Sequence, residues 1–485
     1  MDRLFQALFA PRSIAFIGAS TSVFKWGFNI LHHIIRGGYA GRIYPINPQG
    51  GDWFGRAVYT GLDQIEGPID LAVIVVKESL VPQAIRACVA RKIPAGIVIT
   101  AGFSETGASG AVLEREIVSL ARAGGMRLVG PNTMGIFSAA PSPLQILMTG
   151  MSIPPGQVSI ITQSGNLGSS LAYRFLRRSM GLARMISSGN EADLKVEDYL
   201  TLLEHDPQTK VICLYIEGLR DGQRFFETAR RISPHKPIIL LKGGRTAIGA
   251  RAAASHTGAM ASDENVFDAM CRQAGIIMVA TMDEMIDAAG MLLTQPLPKG
   301  NRIGIVTMGG GWGVIATDAC ESQGLCVPPL EDTIIAKLDA ILPAYWSRGN
   351  PIDLVAPGTV NVITDTVNIL MESRAFDAVL LMGLGYMTLR ARRMMSSEVI
   401  PVDQIESSAN ILIREEEKLF GLLLDLLARK TIPIIPVIDL MAFDAPPDIN
   451  ITKTLDRQGI MAYPSPEPAV MALARIAGYQ RRGAQ

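Results

Sequence analysis

His256 stands among small residues, in Ala254-Ser255-His256-Thr257-Gly258-Ala259-Met260, after a run of small side chains from Gly249 to Ala254. So little bulk lets a segment move, or press closely against another surface. An imidazole there can act as a base, a metal ligand or a phosphoryl carrier, and its plain alternative is a packed structural histidine. No second His or Cys lies at a ligand spacing, which argues against a metal. The chain has five histidines. His32 and His33 fall in helical sequence, where they cap a helix or face solvent, and His205 and His235 fall in polar, loop-like sequence. Glu217 ends an apolar run in Tyr215-Ile216-Glu217-Gly218, at the strand edge where α/β sites form. A carboxylate there can fix an imidazole in one tautomer and leave its other nitrogen nucleophilic. The alternative is a solvated strand-end acid.

Anion chemistry is also written into three strand-to-helix turns, Gly18-Ala19-Ser20, Ser164-Gly165-Asn166 and Gly309-Gly310-Gly311. A helix leaving such a turn presents unpaired N–H groups and the positive end of its dipole, and small residues let a phosphate approach them. A tight βα turn with no ligand is the other reading of each. The first turn does not read Gly-x-Gly-x-x-Gly but Gly18-Ala19-Ser20-Thr21-Ser22-Val23, and Asn47-Pro48 stands where an acidic residue would hold a ribose. A nicotinamide cofactor is therefore disfavoured, whereas a phosphate-bearing ligand such as coenzyme A is not. Lys25, just beyond the turn, can meet a phosphate as a point charge or simply face solvent.

Positioning these groups requires sheet. Apolar runs at Ser13–Gly18, Arg42–Asn47, Leu71–Val76, Gly96–Thr100 and Arg127–Val129 alternate with helical patterns such as Pro82–Ala90 and Gly110–Ala123. That is a βαβ series and predicts a doubly wound parallel sheet. Proline-rich sequence at Pro141-Ser142-Pro143 and Pro154-Pro155 places a boundary near residue 150. A second series begins at Gln157–Thr162 and continues through Val211–Ile216 and Pro237–Lys242. Gln295-Pro296-Leu297-Pro298 reads as a linker, and a third series follows through Arg302–Thr307, Ala378–Met382 and Ile432–Val437. The expected domains are 1–150, 151–296 and 300–485. Residues 158–168 match 303–313 position for position as strand, small-residue turn and helix, so the last two series read as an internal repeat.

Composition sets outer limits. A chain of 485 residues exceeds one hydrophobic core, and 48% hydrophobic against 19% charged residues supplies several. Lys plus Arg and Asp plus Glu are both 45, so no global field draws nucleic acid or anionic membrane. No apolar run reaches the roughly 18 residues of a membrane span. Cys88, Cys213, Cys271, Cys320 and Cys326 show no CxxC spacing, and four of them sit in apolar or helical sequence, which fits a reducing cytoplasm.

The motifs taken together resemble the NDP-forming acyl-CoA synthetase family, related to succinyl-CoA synthetase. The likeness runs through Ile17-Gly18-Ala19-Ser20, Pro45-Ile46-Asn47-Pro48, Ile99-Thr100-Ala101-Gly102-Phe103, Gly130-Pro131-Asn132 and Gln163-Ser164-Gly165. It continues with Ser188-Gly189-Asn190-Glu191-Ala192-Asp193, Glu217-Gly218, Ser255-His256-Thr257-Gly258, Gly309-Gly310-Gly311 and Asn350-Pro351-Ile352-Asp353-Leu354. The resemblance implies an α/β chain: a Rossmann-like CoA-binding domain followed by two flavodoxin-like domains of succinyl-CoA-synthetase type. It implies that His256 carries phosphate, that Glu217 orients it, and that the turns at Ser164-Gly165-Asn166 and Gly309-Gly310-Gly311 bind that phosphate. Coenzyme A is expected at Gly18, Ala19, Ser20, Lys25, Asn47, Pro48, Val76, Thr100 and Ala101.

The family binds its nucleotide on an ATP-grasp module, which adds roughly 200 residues by domain-size reasoning. No segment here supplies it, so the resemblance implies an alpha subunit working with an ATP-grasp beta subunit as a heterotetramer, with ATP, ADP and Mg²⁺ held by the partner. Two departures bear on acyl choice: Lys77-Glu78 where Pro-Ala is common, and Thr133 where Cys is common. Rival expectations are a CoA-binding sensor that keeps the fold without catalysis, and a related ligase subunit using another acyl group.

Overall fold

The structure, a computed structural model, describes residues 3–246, 248–249, 264–354, 359–438 and 455–483. The chain forms two compact units, one running to Met285 and the other beginning at Ile286.

The first unit opens with helix α1 (Arg3–Phe9) and then alternates β1 (Ser13–Ile17), α2 (Trp26–Arg36), β2 (Arg42–Ile46), β3 (Leu71–Ile74), α3 (Val81–Ala90), β4 (Ala95–Val98), α4 (Ala108–Ala123) and β5 (Arg127–Val129). The five strands form one parallel sheet in the order β2-β1-β3-β4-β5. Each is the apolar run expected from sequence. Strands such as Leu71–Ile74 are buried at every position, because helices cover both faces of a parallel sheet.

A hairpin follows, β6 (Gly135–Ser138) and β7 (Leu144–Leu147), and after it β8 (Pro155–Thr162), α5 (Gly165–Arg177), β9 (Leu182–Ser187), α6 (Val196–Glu204), β10 (Val211–Ile216), α7 (Gly222–Ile232), β11 (Ile238–Lys242), α8 (Glu264–Gln273) and β12 (Ile277–Val279). These strands make a seven-stranded sheet, β12-β11-β10-β8-β9-β6-β7. The hairpin precedes the junction expected near residue 150, yet β6 already pairs antiparallel with β9, Ile136 opposite Ile186. An antiparallel addition covers the β9 edge, which would otherwise offer unpaired backbone groups. His33, expected to cap a helix or face solvent, instead sets Nδ1 2.9 Å from the Leu147 carbonyl at the end of this hairpin.

The two sheets of the first unit share one apolar core from Phe5 to Ile276. Within it Arg184 pairs with Asp206 at 3.1 Å, both side chains nearly free of solvent, and its guanidinium lies 5.6 Å from the ring centroids of Phe5 and Phe9. The side chain of Asp193, fully buried, accepts from Arg122 Nε (2.7 Å), Arg127 Nε (2.9 Å) and the Leu128 amide (2.8 Å). It thereby ties the last strand of the first sheet to the loop after β9.

In the second unit a four-stranded parallel sheet has the order β14-β13-β15-β16, from β13 (Ile303–Thr307), β14 (Ile352–Asp353), β15 (Ala378–Leu384) and β16 (Ile434–Ile438). Helix α9 (Met282–Thr294) leads into it, α10 (Gly310–Ser322) follows β13, and α11 (Asp332–Asp339) and α12 (Val360–Ser373) lie between β13 and β15. Between β15 and β16 stands a helical pair, α13 (Tyr386–Met395) and α14 (Val402–Ala428), and α15 (Pro466–Gly483) ends the described chain. The buried Glu416 on α14 accepts from the Gly385 (2.8 Å) and Thr388 (2.7 Å) amides at the start of α13. No described helix is long and apolar enough to cross a membrane.

The repeat read from sequence is also a repeat of topology. Taking β8 and β13 as first strands, both sheets run second-first-third-fourth: β9-β8-β10-β11 and β14-β13-β15-β16.

Candidate functional site

In sheets of this order the crevice lies where the strand direction of winding reverses, beyond the carboxyl ends of the two strands flanking the first crossover. The first unit has two such points. Gly18 follows β1 and Val75-Val76-Lys77 follows β3, while Ser164 follows β8 and Glu217 follows β10. A cleft of about 700 Å³ joins residues from both sheets, among them Gly18, Lys25, Val76, Lys77, Thr100, Gln163, Ser164 and Asn166.

Close approach governs its walls. Gly18 has φ +105°, and a Cβ there would overlap the Val75 carbonyl; a Cβ on Gly27 would overlap Gly18 itself. Gly165 has no room for a methyl because Met134, another lining residue, packs on it. Two helices start at the cleft without a side-chain cap. The N-cap of α2 is Lys25, which has no acceptor to offer, and the N-cap of α5 is Ser164, whose hydroxyl makes no cap bond. The first turns of both helices remain available to an anion. Lys25 and Lys77 are exposed on the lining, and no carboxylate is among the lining residues.

Gln163 connects this cleft to Glu217. Its Oε1 accepts from the Glu217 amide at 2.6 Å and the Gly218 amide at 3.2 Å, and its Nε2 donates to the Gly218 carbonyl at 2.8 Å. Tyr215 donates its hydroxyl to Glu217 Oε1 at 3.3 Å, and Lys242 Nζ donates to the Glu217 carbonyl at 2.7 Å. Burial first, and the Glu217 charge second, push the Tyr215 phenol up to about 12. Burial holds the Lys242 ammonium below its ordinary value, against the opposing pull of Glu217 and Glu264. In the loop after β9 lies Glu191, buried, which accepts from Ser188 Oγ at 2.7 Å. Desolvation pushes its carboxyl up to about 7.

The expected site residues divide accordingly. Gly18, Lys25, Val76, Thr100, Ala101, Ser164, Gly165 and Asn166 come together on one cleft. Ala19, Ser20, Asn47 and Pro48 are not on its lining: Asn47 Nδ2 donates to the Ala19 carbonyl at 2.9 Å, and Trp53 Nε1 donates to the Ser20 carbonyl at 2.8 Å, so these residues shape the loop behind it. Glu217 sits one residue-link away, through Gln163. Gly309, Gly310 and Gly311 belong to the second unit, where Gly309 is the uncapped N-cap of α10. His256 and its neighbours lie outside the described residues. Both departures reach the lining, at Lys77 and at Thr133, but the Thr133 hydroxyl is engaged internally, donating to the Ser187 carbonyl and accepting from the Gly135 amide. Sequence reading passed over Glu191, Tyr215, Lys242 and the paired lining methionines Met134 and Met148. None of them left a signal that residue type and place alone could single out. Among the described residues no group of three His, Cys, Asp or Glu could hold a metal.

Fold and cleft define a CoA-binding protein with a succinyl-CoA-ligase-like second sheet. Residues 12–139 match the CoA binding domain family, and residues 155–292 match the succinyl-CoA ligase like flavodoxin domain family. The acetate–CoA ligase [ADP-forming] II subunit alpha of Pyrococcus furiosus is 37% identical over 369 residues, covering 76% of this chain and 80% of the relative. The corresponding I subunit alpha of that organism is 34% identical over 476 residues, 97% of this chain and 96% of the relative. Among solved structures, the dinucleotide forming acetyl-coenzyme A synthetase 1 of Ca. Korarchaeum cryptofilum, in complex with phosphate and ADP, superposes with a TM-score of 0.84 at 30% identity, over 100% of this chain and 98% of that one. The chain belongs to the ADP-forming acyl-CoA synthetase family. Other curated relatives are longer, and the chain spans between 49% and 56% of their length.

Proposed function

We propose that this chain is the alpha subunit of an ADP-forming acyl-CoA synthetase that converts a carboxylate, CoA and ATP reversibly into acyl-CoA, ADP and phosphate through phosphate carried on His256. The observation that carries the reading is the single cleft on which CoA-side residues (Gly18, Lys25, Val76, Thr100, Ala101) meet the uncapped start of α5, with Glu217 suspended beside it.

A nitrogen of His256 takes the terminal phosphoryl group of ATP and ADP leaves. The phosphoryl passes to a carboxylate oxygen, giving an acyl phosphate and free imidazole. The CoA sulfur, losing its proton, adds to the acyl carbon and phosphate departs. Glu217 accepts the N–H of the second imidazole nitrogen and so holds the reacting one as a nucleophile. Ser164-Gly165-Asn166 takes the phosphate at the start of α5, and Gly309-Gly310-Gly311 of the second unit is a further phosphate-binding turn at a helix start. Each such start stabilises an anion by about 0.3–1 kcal/mol, and up to roughly 2 kcal/mol when partly buried. Lys25 and Lys77 supply positive charge to the phosphates of CoA.

An ATP-grasp beta subunit holds ATP and Mg²⁺, and the assembly is an alpha2beta2 heterotetramer in the cytoplasm. The greater length of relatives of which this chain spans about half agrees with a second component. In this reading residues 1–150 bind CoA, 151–296 carry the phosphohistidine segment, and 300–485 are a second flavodoxin-type ligase domain. Incubating the full chain with acetyl-CoA and labelled phosphate, or the reconstituted complex with labelled ATP, is expected to give acid-labile, alkali-stable label that His256→Asn abolishes. Full labelling of His256→Asn refutes the proposal.

A further inference from the structure

We infer that Asn190 and Arg220 are positioning residues for the phosphoryl step: together they fix the loop that carries Glu217 against the wall of the CoA cleft. The inference rests on the role proposed above for Glu217.

The reaction needs an acyl carbon held beside one sheet and a phosphoryl group oriented from another. A displacement of about 1 Å between such groups costs on the order of 10²-fold in rate, so the two sheets have to be registered at the cleft itself. Asn190, in the loop after β9, makes that contact and engages every polar atom it has. Its amide donates to the Pro131 carbonyl at 3.0 Å. Its Oδ1 accepts from Nδ2 of Asn132, a lining residue, at 3.2 Å. Its Nδ2 donates toward Ser104 Oγ (3.2 Å), Glu105 Oε2 (2.5 Å) and Glu114 Oε2 (2.9 Å), and two carboxylates on that side fix which end of the amide faces them. Glu105 Oε1 in turn accepts from the Gly102 (2.6 Å) and Phe103 (3.1 Å) amides, directly after the lining residues Thr100 and Ala101. The Asn190 carbonyl accepts from Arg220 Nη2 at 2.8 Å.

Arg220 belongs to the loop 217–221, between the end of β10 at Ile216 and the start of α7 at Gly222. Gln163 holds the beginning of that loop through the Glu217 and Gly218 amides, and Arg220 holds its end. Gly189 permits the close approach: it has φ +60°, and a Cβ there would overlap the Pro131 and Asn132 carbonyls. Asn132 and Glu191, on either side of the contact, carry side chains at φ +56° and +52°, a strain that persists where the surroundings over-determine the backbone.

The repeated unit folds without this pin. Thr162 stands opposite Ser187 and Thr307 opposite Asp353, so the residue in the place of Asn190 is Ala356 in sequence. Only Gly385 separates the end of β15 at Leu384 from the start of α13 at Tyr386. A link present only where a loop carries Glu217 is explained by the group it positions.

A double-mutant cycle on the full chain separates positioning from plain docking of the sheets. Asn190→Ala removes the cleft side of the link, and Arg220→Ala, at an exposed side chain, removes the loop side. Each is expected to slow labelling from acetyl-CoA and phosphate by about 10-fold, and the double variant by about 10-fold as well, because both break one link. Arg220→Lys, which keeps a donor, is expected to recover most of the rate. In Arg220→Ala the Kd for CoA is expected to stay at its wild-type value, while hydrogen exchange quickens across 217–221 and not at 308–311. Wild-type labelling or unchanged exchange at 217–221 in Arg220→Ala, losses that multiply in the double variant, or a CoA Kd that weakens in step with the rate overturns the inference. Should Asn190→Ala not fold, Arg220→Ala and Arg220→Lys decide alone. Wild-type labelling in Glu217→Gln would instead refute the role of Glu217, while the exchange result still decides whether Asn190 and Arg220 fix its loop.

Discussion

Thr162 and Thr307 occupy the same place in two different sheets, and each hydroxyl donates to the carbonyl two residues on, Ser164 at 2.7 Å and Gly309 at 2.9 Å. Four residues beyond each of those carbonyls a helix glycine packs against the same threonine methyl, Gly168 on Thr162 and Gly313 on Thr307. The scaffold is therefore duplicated down to its hydrogen bonds. What surrounds it is not. The first copy carries Gln163, Glu191 and Glu217, whereas the second offers Met308 and Leu384 and shows its helix start through three glycines. The pair teaches that a strand, a threonine latch and small residues suffice to build an uncapped helix start, and that Glu191 and Glu217 are additions confined to the first copy.

Exchanging features between the copies tests that lesson. The largest effect is expected from Glu217→Leu, which installs the second copy's residue. Phosphate labelling should fall by on the order of 10³–10⁴-fold, the scale of losing the carboxylate that sets a catalytic imidazole's tautomer, with the melting temperature little changed. A fall under 10-fold would mean the copies do not differ in this function. Next comes pH. The Glu191 carboxyl, pushed up to about 7 by burial, ionises near 4.5 in the unfolded chain. Its protonated form is the one the fold favours, so its contribution is complete below about pH 4.5 and is lost as pH rises to about 7, by up to about 3 kcal/mol. Denaturant unfolding of wild type and Glu191→Gln between pH 5 and 8 should therefore show the wild type losing ground to the variant as pH rises. Parallel curves would contradict it. The smallest effect concerns Gly311, where a Cβ meets open space, unlike Gly165, where it would overlap Met134. Gly311→Ala should raise stability by about 0.5–1 kcal/mol, since alanine costs less than glycine in a helix, and calorimetry would register it.

Much of this comparison is legible in the sequence because parallel strands buried on both faces are continuous apolar runs. Leu71–Ile74, Val211–Ile216 and Ile303–Thr307 announce themselves, and the small residues after β8 and β13 mark the turns. Strand β9 did not, because Arg184 interrupts its apolar run, and only the fold shows that Asp206, Phe5 and Phe9 neutralise and cover that charge. The hairpin at 135–147 is too short and too mixed to stand out, and its partner strand lies well downstream. Glu217 and the turns could be selected by type and place. Glu191 could not, since an acid in a polar motif reads as solvated until the strands on either side bury it. The bond from Gln163 to Glu217 bridges two strands and is a product of register alone.

The same hairpin has a consequence for modularity. Strands β6 and β7 are encoded before residue 150 but complete the sheet that begins after it. A gene cut at that point would strip the second sheet of its edge cover, leaving β9 as an open template for intermolecular pairing, and would orphan two strands on the other fragment. The CoA-binding half is thus not a cassette that recombination can exchange at its most obvious seam. Swaps of acyl-CoA chemistry in this lineage have to move both sheets together, or cut before Gly135.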